Sequence, residues 1–267
     1  MPGFLLINPR SGDDNPSADD LVEEARRRGV ETHVLDAEAD DPAELARAAD
    51  ADAIGVAGGD GSLAPIAEVA IGRHLPFVCI PFGTRNHFAR DVGLDRNDPI
   101  AALDAFVDRQ EQRIDVGRVG DRLFLNNVSL GRYADLVHRR EHHRRRRVAM
   151  ARLRALAVFA RHPRGIELAI DGRPVDAQIA FVGNNRYKLD LFSLGEREQL
   201  DEGRLHLALA GWNPTNWEER LTGRLTIDTP AHHVTAATDG EPAELETPLE
   251  FSIEPLALRV LLPRAPR

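Results

Sequence analysis

The chain has 267 residues, 42 % of them hydrophobic and 29 % charged, with a formal net charge of −9. That length suits two modest domains with a core each, and the acidic balance argues against nucleic-acid binding by the surface as a whole. Cys79 is the single cysteine, which excludes an internal disulfide, and without an apolar run of about 18 residues or a signal-peptide pattern a cytoplasmic protein is expected.

In chain order, Gly3–Asn8 reads as a first apolar strand, closed by the loop Asn8-Pro9-Arg10-Ser11-Gly12. Ser17 caps a helix to Arg28 with Leu21, Val22 and Ala25 inward, and Gly29 ends it. Val30–Leu35 is a second strand. Asp41 and Pro42 then start a short helix to Ala49.

The stretch Ala53–Arg90 organises the rest. Ala53–Ala57 is an apolar run of the buried-strand type, interrupted by Gly58-Gly59-Asp60-Gly61-Ser62. A helix follows with Leu63, Ile66, Ala67 and Ala70 on one face. Pro76–Pro81 is another strand, which holds Cys79 and makes that thiol a buried, inert one. Phe82-Gly83-Thr84-Arg85-Asn86 is a second glycine turn. Both turns open at the same edge of one sheet, where open α/β folds bind ligands. Glycines let the backbone approach a ligand and turn N–H groups towards an anion, and the helix N-terminus adds its partial positive charge. Ser62 offers a hydroxyl to a phosphate oxygen, Thr84 can reach the same group, and Asp60 offers a carboxylate to a proton or a magnesium ion.

Strands alternating with helices, through further helices at Asn86–Val92 and Asp98–Val107, predict a doubly wound parallel sheet. The pattern then changes. Arg113–Val119 and Arg122–Val128 flank a Gly120-Asp121 turn, placing a boundary near Gln110–Gln112 and giving domains 1–111 and 112–267. The second half reads as short strands at Ile166–Ile170, Val175–Val182, Leu205–Leu209, Leu225–Asp228, Val234–Ala237, Leu249–Ile253 and Leu256–Leu262. Asp171-Gly172 and Asp239-Gly240 mark hairpin turns between them. The expected fold is an α/β doubly wound N-terminal domain followed by a mainly antiparallel β-sandwich, with one long helix at about Ala134–Arg161.

GGDGS and PFGTRNHFAR resemble two signatures of the diacylglycerol kinase catalytic family, and weaker similarity runs from LLINPRSG at Leu5–Gly12 to Asp239-Gly240-Glu241. The resemblance implies an ATP- and Mg2+-dependent kinase acting on a lipid hydroxyl in a cleft between two domains. It implies that Asn8 lies along the nucleotide beside Gly58, Gly59, Asp60, Gly61, Ser62 and Thr84. It further implies Glu241 as acceptor of the hydroxyl proton, with Asp60 and Asp115 in support, and Glu202 as carboxylate of a structural magnesium site with the carbonyls of Gln199 and Arg204. Several positions depart from the family pattern: Ser62 stands for Thr, His87 for Asp and Glu202 for Asp, and Asp36 aligns where relatives often carry a nucleotide-contacting Thr. Two alternatives stay open. An NAD kinase shares the GGDG-type turn, although its usual Asn-Glu pair is absent at Asn126-Asn127; a catalytically weak nucleotide sensor or membrane-binding module would account for His87 and Glu202.

His138–Arg147 concentrates six arginines in ten residues. His138, His142 and His143 have helical spacing, but the surrounding arginines make a solvated cationic face the plainer reading than a metal site. Arg144, Arg145, Arg146 and Arg147 are expected to bring the protein to anionic lipid at the inner membrane face, each basic residue near such a surface contributing on the order of 1 kcal/mol. An oligomer is compatible with this reading.

Overall fold

The computed structural model describes residues 2–12, 15–131, 166–190, 193–211 and 217–264. The expected long helix and the arginine run lie outside the described residues. The chain divides into two units, Met1–Val116 with Pro255–Arg267, and Gly117–Glu254.

The first unit alternates strand and helix: β1 (Gly3–Ile7), α1 (Ala18–Arg27), β2 (Val30–Val34), α2 (Pro42–Ala48), β3 (Ala53–Gly58), α3 (Asp60–Gly72), β4 (Phe77–Pro81), α4 (His87–Asp91) and α5 (Pro99–Ala102). The strands pair in parallel in the order β2-β1-β3-β4. Every residue of β1, β3 and β4 is buried, so these strands read as continuous apolar runs rather than alternating ones. Leu5, Ile7, Val78, Ile80 and Phe106 share one core, and each such side chain contributes about 1.5–3 kcal/mol by leaving water.

The helices start where their caps dictate. Ser17 Oγ accepts from the Asp20 N–H at 3.1 Å while Asp20 accepts from the Ser17 N–H at 2.8 Å, a reciprocal box that opens α1. Asp41 caps α2. At the other end of α2, the Arg73 guanidinium donates to the Ala46 and Ala49 carbonyls at 2.9 and 2.8 Å, satisfying groups the helix leaves open.

The second unit is built from strands. After β5 (Arg109–Val119) come β6 (Arg122–Phe124), β7 (Asn127–Gly131), β8 (Ile166–Ile170), β9 (Arg173–Ala177), β10 (Ile179–Asn184), β11 (Tyr187–Asp190), β12 (Ser193–Arg197), β13 (Leu205–Ala210), β14 (Trp217–Thr222), β15 (Arg224–Asp228), β16 (His233–Thr238), β17 (Glu241–Glu246) and β18 (Leu249–Pro263). One antiparallel sheet runs β14-β13-β10-β7-β16-β17. A second layer contains β15, β8, β9 and the first part of β18. Val128, Leu130, Val182 and Leu207 from the first layer meet Leu168, Ile227, Leu249 and Phe251 from the second in a single core. Asp171-Gly172 and Asp239-Gly240 have positive φ at both residues, as a two-residue hairpin turn requires.

Several elements differ from the sequence expectation. Arg122–Val128 is two strands, interrupted at Leu125-Asn126, and Val175–Val182 is two strands, interrupted at Gln178. The edge strands β14 and β17 carry too few apolar residues to announce themselves; in β17 only Leu245 is buried. Leu249–Ile253 and Leu256–Leu262 are one strand bent at Leu256, whose φ is 53°. Beyond that bend Val260 pairs in parallel with Phe77 of β4, and Leu261 joins the first core. The division therefore differs from 1–111 and 112–267: the chain leaves the first unit at Val116 and re-enters it at Pro255. The cause is the apolar segment Leu258–Leu262, which covers the open edge of β4 although it is remote in sequence.

His206 of β13 is 1 % exposed. The Tyr187 N–H donates to its Nδ1 at 3.0 Å, so the proton of the neutral ring sits on Nε2 and is donated to Glu219 at 2.9 Å. Burial lowers its pKa, opposed by Glu219. The unfolded imidazole takes up a proton as pH falls through about 6.5, while the folded one does so only at lower pH. The unfolded state then binds more protons, so stability present above that pH is lost as pH falls. Between about pH 7.5 and about pH 5.5, urea unfolding should show stability falling as pH falls, with His206 contributing to the loss. His206→Gln should have a flatter profile, and an unchanged slope would assign the loss to other groups.

Candidate active site

The loops after β1, β3 and β4 converge at the C-terminal ends of adjacent strands. Gly58 pairs with Pro81 in register, and the Phe82 N–H donates to the Gly58 carbonyl at 3.2 Å. A Cβ on Gly83 would lie 2.5 Å from the Cα of Gly59, so the two glycine turns touch backbone to backbone. A Cβ on Gly58 would lie 2.6 Å from Ser62 Oγ. Neither Gly58, Gly59 nor Gly83 has a positive φ. Close approach, not a left-handed backbone, is what requires glycine here. Asn8 donates from Nδ2 to Ser62 Oγ at 3.5 Å and accepts from the Arg10 N–H at 3.1 Å, which draws the first loop to the same place. Gly12 lies against the Phe82 ring, where a Cβ would fall 2.3 Å from it.

The helix after the first turn, α3, begins at Asp60, and its N-cap Gly59 provides no side-chain cap. The Ser62 N–H donates to the Gly59 carbonyl at 2.9 Å, and the positive end of the helix together with the Ser62 hydroxyl can receive an anion. The carboxylate of Asp60 is directed elsewhere. It accepts from the His87 N–H at 3.0 Å and the Phe88 N–H at 2.9 Å, the first turn of α4. Asp60 thus ties the first turn to the helix that follows the second, which is a structural role in addition to the expected chemical one. Its charge and, more strongly, burial push the Cys79 thiol pKa up, so that thiol stays protonated and inert.

Asn86 is the residue whose place the sequence pattern does not reveal. It is buried, with φ 49° and ψ 49°. Its Oδ1 accepts from the Gly83 N–H at 3.0 Å and its Nδ2 donates to the Gly83 carbonyl at 2.7 Å, closing the second turn. The legible signal is its type, since Asn tolerates the left-handed region and bonds its own backbone. His87 beside it is partly buried; burial lowers its pKa, with Asp60 opposing. Thr84, in the same turn, is exposed.

The remaining residues singled out in the sequence lie in other places. Asp115 is fully buried in the first unit and accepts from the Leu256 N–H at 2.8 Å, where β18 bends. Asp36 accepts from the Glu38 N–H at 3.0 Å, a local turn. In the second unit, Glu241 is exposed at the first position of β17, directly after the Asp239-Gly240 turn. Asp239 is buried and accepts from the N–H groups of Leu125, Asn126 and Asn127 at 2.9, 2.7 and 3.1 Å. Glu202 accepts from the Arg186 N–H at 2.9 Å, and the Arg204 carbonyl accepts from the Asn185 N–H at 2.9 Å. Among the described residues no group of three His, Cys, Asp or Glu side chains is placed to hold a metal ion.

Residues 2–119 match the family described as diacylglycerol kinase catalytic domain. A diacylglycerol kinase of Mycobacterium tuberculosis is 29 % identical over 97 % of this chain and 94 % of its own length. A diacylglycerol kinase of Bacillus subtilis is 26 % identical over 67 % of this chain and 59 % of its own. The fold is that of a solved diacylglycerol kinase structure from Bacillus anthracis, with a TM-score of 0.69 at 18 % identity, covering 98 % of this chain and 97 % of that one.

Two expectations follow from the contact between the turns. Gly83→Ala should destabilise the protein by about 1–3 kcal/mol, because the backbone it meets cannot step aside. Gly72→Ala, with nothing within 4 Å of the new methyl, should be neutral or stabilising by up to about 1 kcal/mol. Equal melting temperatures for both variants would overturn the contact. Asp60→Ala should lower stability by about 0.5–2 kcal/mol through loss of the α4 cap, measured by thermal unfolding.

Proposed function

We propose, from the match of residues 2–119 to the diacylglycerol kinase catalytic-domain family, that the protein is an ATP-dependent kinase of a lipid hydroxyl, with diacylglycerol or a close relative as acceptor. The observation that carries the reading is the anion-receiving corner of the first unit. An α3 N-terminus without a side-chain cap, Ser62 Oγ and Asn8 meet where two glycine turns leave no side chain in the way.

Phosphoryl transfer depends on positioning and charge neutralisation more than on covalent help. When bound, ATP with Mg2+ supplies the phosphoryl group and much of that neutralisation. Mg2+ is commonly held by one or two carboxylates together with phosphate oxygens, and the carboxylate proposed for it is Asp60, which would do so in addition to holding the first turn of α4. The positive end of α3 and the Ser62 hydroxyl would hold phosphate oxygens. Asn8 would lie along the nucleotide, and Thr84 would donate from the second turn. Glu241, exposed and acidic, would accept the proton of the acceptor hydroxyl as its oxygen bonds to phosphorus and the bond to ADP breaks. Asp115, by holding the bend at Leu256, and Asp60, by holding α4, support the site through backbone positions. Glu202 remains a proposed magnesium ligand, with the Gln199 carbonyl. Arg144–Arg147 would draw the protein to anionic lipid, a role supported by sequence charge alone.

Among the described residues no helix is long and apolar enough to cross a membrane, so a lipid acceptor would be met from the surface. Radiolabelled ATP should label the lipid fraction when the acceptors offered are diacylglycerol, ceramide, sphingosine, phosphatidylglycerol and NAD. Label in NAD, or in nothing, would overturn the reading. Glu241→Gln should bind nucleotide as the wild type does and lose kcat by about 100-fold or more; unchanged kcat would move the proton-accepting role elsewhere.

A further inference from the structure

The peptide segment Leu125–Asn127 runs from the break between β6 and β7 into the start of β7, and side chains and backbone of the second unit engage its polar groups. Asp239 takes its three N–H groups, as described above. The Leu125 carbonyl and the Asn126 side-chain oxygen are taken by Arg197, which ends β12 and is only 4 % exposed. Arg197 Nη1 donates to the Leu125 carbonyl at 2.6 Å and to the Asn184 carbonyl at 3.1 Å. Its Nη2 donates to Asn126 Oδ1 at 2.9 Å. The guanidinium carbon lies 5.3 Å from the centre of the Tyr187 ring, a cation–π contact. Asn184 completes the frame, donating from Nδ2 to the Leu125 carbonyl at 3.0 Å and from its N–H to the Asn126 carbonyl at 2.9 Å.

A buried guanidinium is costly to desolvate, and an apolar side chain of similar volume would often stabilise the fold as well or better. What an apolar residue cannot do is fix three acceptors at once in one plane, which the forked guanidinium does. The segment is therefore clamped between a cation on the Leu125 carbonyl and the Asn126 side-chain oxygen and an anion on its three amides. The anion is Asp239, the first residue of the Asp239-Gly240 turn, and the residue after that turn is Glu241, paired with Thr238 in the hairpin register. Anything that shifts Asn126 shifts Asp239, and with it the base of the turn that presents Glu241.

We propose that Arg197 is a positioning residue for Glu241: it sets the aim of the proton-accepting carboxylate through Leu125–Asn127 and Asp239. The inference rests on the proton-accepting role given to Glu241 above. A displacement of about 1 Å at a reacting group can cost on the order of 100-fold in rate, so an effect on turnover is expected without any contact between Arg197 and substrate.

The test is a double-mutant cycle on the full chain, with variants Arg197→Met, Arg197→Lys, Glu241→Gln and the Met/Gln pair, assayed well below their melting temperatures. Arg197→Met should lower kcat by about 10- to 100-fold while KM for ATP stays within about twofold. Arg197→Lys, which keeps the charge but loses the fork, should fall between wild type and Arg197→Met. In the Glu241→Gln background, Arg197→Met should cost less than about threefold, because the two residues act on one step. The same cost in both backgrounds would make Arg197 a purely structural residue and overturn the proposal. Glu241→Gln with wild-type kcat would remove the underlying reading and this inference with it. An impaired Glu241→Gln beside an unimpaired Arg197→Met would remove the inference alone. If Arg197→Met does not accumulate folded, Asn126→Ser replaces it, removing the carboxamide whose oxygen Nη2 reaches; it should give a smaller loss that is again suppressed by Glu241→Gln, and an unsuppressed loss counts against the proposal.

Discussion

No side chain fits between the turn after β3 and the turn after β4, and the rest of the first unit is arranged around that exclusion. With Gly59 and Gly83 in backbone contact, the ends of two central strands are brought together closely enough for Asp60 to cross from one turn to the first N–H groups of α4. The same proximity brings Asn8 onto Ser62. The polar groups of the corner hold each other: Asn86 closes its own turn, Asp60 closes the next helix, and the α3 N-terminus has no side-chain cap. A corner ordered in this way meets the cost of its order during folding rather than during any later binding.

The acidic residues that attract attention in the sequence share a second property. Asp60, Asp115, Glu202 and Asp239 each accept from backbone N–H groups in loops or bends. A carboxylate on several N–H groups is a strong local fastener, since charge-assisted bonds exceed neutral ones. Around this chain's irregular segments, carboxylates do the work that β-ladders do elsewhere. Glu241 differs from them in its setting: it is exposed at a strand start, after the turn opened by Asp239, which accepts from three backbone N–H groups.

The first unit was largely legible from sequence because its information is local. Apolar runs such as Phe77–Pro81, caps such as Ser17 and Asp41, and the two glycine turns each announce one element within a few residues. The second unit was legible in outline only. Asp-Gly turns marked two hairpins, but β17 shows mostly acidic and small residues, so no periodicity distinguishes it from a loop. The candidate site divides in the same way. Glycine spacing pointed to the phosphate corner, whereas Asn86 and Arg197 owe their places to acceptors that only the folded chain assembles: the peptide of Gly83 for the first, the segment Leu125–Asn127 for the second. Polar residues of that kind carry no pattern, because their partners lie in turns and in other strands.

The bend at Leu256 leaves a mark on how this protein must be made. Val260 and Leu261, translated after all of the second unit, supply the neighbour of β4 and part of the first core. The unit that starts first on the ribosome is therefore the one finished last, and until then Phe77, Val78, Cys79 and Ile80 present an unpaired apolar strand edge, the kind that recruits other chains. Gly117–Glu254, by contrast, is contiguous and can close as soon as it has emerged. Removing the residues beyond Glu254 would spare every strand pairing of β15 and β8 and yet leave the parallel sheet of the first unit open at β4, so a small C-terminal loss would be felt at the N-terminal half of the chain.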